Sequence, residues 1–68
     1  MCQMNVMFEH DGEQEQVMEN AIRLEVTGEG VLVSTFFEEP KLVRKARVKS
    51  IDFLGGTVTL DNRVPERD

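Results

Sequence analysis

The donors soft enough to interest a transition metal crowd into the first ten positions of this chain. In MCQMNVMFEH the chain places Met1, Cys2, Met4, Met7 and His10, which include its only cysteine, its only histidine and three of its four methionines. Cys2 carries the most distinctive chemistry. A small side chain after an initiator Met permits removal of that Met, and Cys is small enough. Cys2 would then be the N-terminus, with an α-amine of pKa near ~8 and a thiol near ~8.5 on one residue. Both groups can give up a proton to a metal, and sulfur and amine close a five-membered chelate ring on one ion. One chain offers only two donors, but two copies meeting across a twofold axis offer N₂S₂. A planar set of that kind suits nickel(II) or copper(II), whereas zinc prefers a tetrahedron. The competing reading is that Cys2 is only the first apolar side chain of a strand, in phase with Met4, Val6 and Phe8.

The other candidates are weaker. His10 adjoins the Asp11–Gly12 turn and reads as an exposed turn histidine; along an extended strand it stands about 26 Å from Cys2. Methionine ligation of copper(I) fits ligand softness, but Met4 and Met7 fall on opposite faces of a strand, which favours packing. Glu9, Asp11, Glu13 and Glu15 surround a turn without the spacing of a calcium loop and read as a solvated acidic hairpin. Ser34 and Ser50 lie inside strand patterns with no nucleophile elbow around them. No carboxylate pair is set up for acid–base work in a cleft, and the glycines match turns rather than a phosphate loop. The expectation is a protein that is not an enzyme.

With 68 residues and a formal charge of −5, the chain allows one small domain whose margin of stability is thin. Its single cysteine excludes an internal disulfide, leaving a metal or self-association as the extra source of stability. The acidic balance makes nucleic acid an improbable partner, since phosphate contacts need clustered cations. Lys41, Arg44, Lys45, Arg47 and Lys49 do cluster, and read as a solvated strand face able to pair with the acidic first half. No apolar run is long enough to cross a membrane and no signal-peptide pattern stands out. With a lone thiol, this leads to the expectation of a soluble, cytoplasmic protein.

The elements that must position these residues follow a period of two. Strand one carries Val6 and Phe8 inward, and Asp11–Gly12 is a hairpin turn. EQVMEN returns as a short strand around Val17 and Met18. AIRLEV alternates Ile22, Leu24 and Val26, which overrides a helical reading of GEQEQVMENAIRLE. TGEG at 27–30 turns into VLVSTFF, and Pro40 ends that strand. KLVRKARVKSIDFL starts a long strand in which a bulge near Lys49–Ser50 reconciles Val48 with Ile51 and Phe53. Gly55–Gly56 is a two-residue hairpin loop into TVTL. The sum is an all-β fold, a small, strongly bent antiparallel barrel of the SH3-like or Sm-like kind with six to seven strands. Residues 1–62 form the domain and 63–68 a polar, frayed tail. The core expected is Val6, Phe8, Ile22, Leu24, Val31, Val33, Val48, Ile51, Phe53, Val58 and Leu60.

Three stretches together resemble the CooT family of small nickel-binding proteins: the MC start running into an alternating strand, IRLEVTGEGVLVSTFFEE, and IDFLGGTVTL. The resemblance spans Met1 to about Leu60. It implies a small β-barrel that forms a homodimer. It also implies nickel(II) held at the dimer interface through Cys2 after loss of Met1, and a role in supplying a nickel enzyme such as carbon monoxide dehydrogenase. Met4 departs from the small residue the resemblance leads one to expect, and would either crowd a metal or offer it a weak extra donor. The leading expectation is therefore a homodimeric nickel(II) metallochaperone or store with Cys2 as its metal residue. The alternatives are an RNA-binding Sm/SH3-like barrel using Lys41, Arg44, Lys45, Arg47 and Lys49, and a metal-free protein-interaction module.

Overall fold

The computed structural model describes residues 3–62. Met1, Cys2 and the tail 63–68 lie outside the described residues, and with them both the Cys2 site and the expected fraying of the tail. Six strands follow in order: β1 (Met4–His10), β2 (Glu13–Thr27), β3 (Gly30–Thr35), β4 (Lys41–Arg44), β5 (Ala46–Asp52) and β6 (Thr57–Asn62). They form one sheet in the order β4-β3-β2-β1-β6-β5. No helix is long and apolar enough to cross a membrane among the described residues.

Turn chemistry accounts for the chain reversals. Asp11 and Gly12 both take positive φ, 54° and 81°, as a two-residue hairpin loop between right-twisting strands requires. Gly30 opens β3 at φ 152° with its backbone against β4; a Cβ there would run into the Val43 carbonyl oxygen. The loop from β5 to β6 has four residues rather than the two-residue Gly55–Gly56 turn the sequence suggested. Asp52 organises it: its carboxylate accepts the Gly55 N–H at 2.9 Å and its backbone oxygen accepts the Gly56 N–H at 2.8 Å.

The all-β, strongly bent, six-stranded architecture is the one the sequence predicts, with two differences. First, β1 and β6 run parallel, so the sheet is mixed rather than antiparallel. The cause is Lys45, which takes φ 55° between β4 and β5 and bends the chain without reversing it. β4 and β5 therefore continue in one direction, and the turn after β5 brings β6 out alongside β1 in the same sense. Second, the sheet is not closed: its edge strands β4 and β5 are joined through Lys45 but share no ladder among the described residues.

The bend comes from β2. EQVMEN and AIRLEV are not two strands but one of 15 residues, interrupted by bulges. Against β1, Met18 to Ala21 spans three residues where the partner uses two, and Gln16 to Met18 spans two where the partner uses one. Against β3, Ala21 to Arg23 spans two where the partner uses one. Asn20, in the left-handed region at φ 58°, sits within this stretch. Each extra residue adds twist and shifts the phase of the side chains. The inward positions on β2 thus become Met18, Ala21 and, partly, Leu24. The expected bulge on β5 is present: Val48 pairs with Leu60 and Ser50 with Thr59, leaving Lys49 over.

The core comprises Val6, Met18, Ala21, Val31, Val33, Ala46, Val58 and Leu60, with Met4, Phe8, Val17, Leu24, Val43 and Val48 packed against it. Eight of the eleven expected core residues are in one group or the other. Ile22, Ile51 and Phe53 are corrections: they are 39%, 46% and 80% exposed in the single chain. The β2 bulge turns Ile22 out of phase, and Phe53 belongs to the loop rather than to β5.

Candidate metal centre

Cys2 lies outside the described residues, so the structure gives its approach rather than its geometry. β1 begins two residues later, at Met4. Its entry is pinned by the Asn5 N–H, which donates to the Gly56 oxygen at 2.8 Å, and Gln3 beside Cys2 is exposed. The described chain therefore begins at an exposed Gln3, close to the β5–β6 loop.

The structure accounts for other donors among the described residues. Met4 packs against the core and Met18 is in it, so both are engaged as apolar side chains and the copper(I) reading loses two of its four methionines. His10 lies at the opposite end of β1, exposed, with its Nδ1 3.1 Å from a carboxylate oxygen of Asp11 and its ring edge-on to Phe8. This is the turn histidine expected. Among the described residues, no three His, Cys, Asp or Glu side chains converge on a common point.

The basic cluster is partly neutralised. Lys49 Nζ donates to Glu9 at 2.7 Å, reaching from β5 across β6 to β1. Arg47 Nε donates to Asp61 at 2.8 Å. The Arg47 guanidinium beside Asp61 holds its carboxyl below the usual range against a smaller opposing effect of desolvation. The acidic first half does pair with the basic stretch, through Glu9. Lys41 and Arg44 instead line a surface groove of about 380 Å³ together with Phe8, Glu15, Val17 and Leu42. A continuous cationic face of the kind single-stranded RNA requires is not what these five residues build.

A family model described as CO dehydrogenase accessory protein CooT matches residues 1–61. The chain belongs to the CooT family. The match includes Met1 and Cys2 and so covers the candidate metal residue as well as all but the last residue of β6. The fold agrees. A crystal structure assigned as CooT from Carboxydothermus hydrogenoformans superposes with a TM-score of 0.80 over 90% of this chain and 97% of that one, at 23% identity. No curated protein matches this sequence. A CooT protein is an accessory to CO dehydrogenase rather than a catalyst, in keeping with a sequence that offers no assembled catalytic group.

One feature went unread in the sequence. Leu54 is fully exposed at the tip of the β5–β6 loop beside Phe53. The signal available was a Phe-Leu pair directly before Gly-Gly, where polar turn residues are usual.

Proposed function

We propose that this CooT-family chain is a cytoplasmic, homodimeric nickel(II) carrier or store that serves a nickel enzyme such as CO dehydrogenase. The observation that carries the proposal is the family match, which begins at residue 1 and so includes the Met-Cys start. The donor set fits the cargo. With Met1 removed, Cys2 presents thiolate and amine to one ion, and a second chain completes four N/S donors, which suits divalent nickel. Solvent exposure at Gln3 supports a site that can take up and release an ion. Met4, turned into the core, supports a packing role in place of a fifth donor.

Titration of the Met1-processed protein with nickel(II) tests this. Uptake of one ion per two chains is expected, with a thiolate-to-metal absorption band. Cys2→Ala should remove both while leaving the fold intact by circular dichroism. Equal nickel uptake by Cys2→Ala would refute the proposal.

A further inference from the structure

We propose that β4 is a docking edge for an extended, acidic segment of another protein, which adds to the sheet as a further strand. The inference is independent of the nickel reading.

β4 stands at one edge of the sheet. Its four residues form a ladder with β3. Among the described residues, no backbone hydrogen bond outside that ladder reaches them. The N–H and C=O groups on the outer side of β4 are therefore available to a further strand. Beside them runs the groove of about 380 Å³, lined in part by Phe8, Val17, Leu42 and Val43. Phe8, Val17 and Val43 pack against the core, and give the groove an apolar lining on which a partner's apolar side chains can lose their water. Length leaves this region open. β3 has six residues against the 15 of β2 and pairs with it only from Ala21 onward. The first half of β2 thus has β1 as its one ladder partner among the described residues.

Charge selects the occupant. Six lysines and arginines lie among the described residues, and three are matched: Arg23 with Glu25, Arg47 with Asp61 and Lys49 with Glu9. Lys41, Arg44 and Lys45 have no ion-pair partner among the described residues, and all three are exposed on β4 or directly after it. In a chain of net charge −5, the unmatched positive charge is gathered at one sheet edge. β4 reads Lys-Leu-Val-Arg, a cation at each end of two apolar residues. Side chains directly opposite each other on paired strands share a face, and opposite charges there attract. The complementary strand therefore reads acidic-apolar-apolar-acidic. That pattern is the same in both directions, so it serves parallel and antiparallel addition alike. This sequence contains no such run, which points to another protein rather than a second copy. Glu15 also lines the groove; it disfavours a carboxylate near β2 and so directs the partner's acids to β4. The other edge strand, β5, offers no such match, since Arg47 and Lys49 are already paired. Backbone pairing supplies the affinity and the side chains select the partner, as in strand addition generally.

Calorimetric titration of the full chain with two short peptides tests this, one centred on Glu-Val-Val-Glu and one on Lys-Val-Val-Lys. The acidic peptide should bind and the basic one should not. Arg44→Glu should weaken the acidic peptide at least about 10-fold. Arg23→Glu makes the same change in net charge on β2 and should leave binding unaltered. Methylating both valine nitrogens of the acidic peptide removes whichever amide donates to β4, and should abolish binding. In hydrogen exchange followed by NMR, alternate amides of Lys41–Arg44 should gain protection when the acidic peptide is present. The chain carrying both Lys41→Glu and Arg44→Glu should bind the basic peptide instead, a gain that only a folded variant can make. An acidic peptide that fails to bind, or that binds equally well with its valine nitrogens methylated, would overturn the proposal. Equal weakening by Arg44→Glu and Arg23→Glu, or protection confined to strands other than β4, would overturn it as well.

Discussion

Asp61 is the titratable side chain whose surroundings most clearly set its behaviour. Its hydrogen bond to Arg47, with smaller help from the charges of Arg47 and Lys49, lowers its pKa in the folded protein. A carboxyl lowered on folding adds stability that is fully present above its unfolded pKa of about 3.9 and is lost as pH falls through the folded value. Asp61→Asn should therefore be less stable than the parent at neutral pH, with the gap closing as pH falls below about 4. Urea titrations between pH 3 and pH 7 read this directly; a constant gap would show that the Arg47–Asp61 pair contributes nothing pH-dependent. The same pair bears on the cluster of cations. Five cations in nine positions read as a solvated strand face able to pair with carboxylates, and strand pairing sets Arg47 against Asp61 and Lys49 against Glu9, partners no local window could name.

At the scale of the element, glycine positions separate tight packing from turn preference. Gly12 at φ 81° has open space around the position of a Cβ, whereas a Cβ on Gly30 would collide with the backbone of Val43 and Arg44. Gly12→Ala should cost about 1 kcal/mol, the usual penalty for a non-Gly residue at positive φ. Gly30→Ala should cost more than about 3 kcal/mol, because β4 must move off β3. Thermal melts of the two variants settle the order, and equal destabilisation would contradict the close β3–β4 approach.

The all-β character was legible, as were the Asp11–Gly12 hairpin, the Lys49 bulge and eight of the inward residues, because each follows from turn chemistry or a period of two; the division into strands was not, since β2 is one strand where two were expected and β4 and β5 are two where one was. The β2 bulges were not. Nothing in EQVMENAIRLEV marks where an extra residue will sit, since bulges are fixed by pairing with β1 and β3 at once. Lys45 was equally hidden: a lysine at φ 55° has no sequence signature. Yet that residue marks the bend at which β4 passes into β5.

For the whole molecule, the picture is a thin core held by one curled sheet, with an exposed apolar pair, Phe53 and Leu54, on the β5–β6 loop. The candidate site was legible only as chemistry, a thiol and an amine on one small residue. In the proposed carrier its completion depends on a second chain, about which one sequence is silent. The proposed carrier function comes down to one composition: two chains, each beginning at Cys2, around one ion. Native mass spectrometry of the nickel-loaded protein reads this in a single spectrum. The account predicts one nickel on a dimer of chains that have lost Met1, and no nickel on chains that retain it. Nickel carried equally by monomers, or by chains that keep Met1, would contradict it.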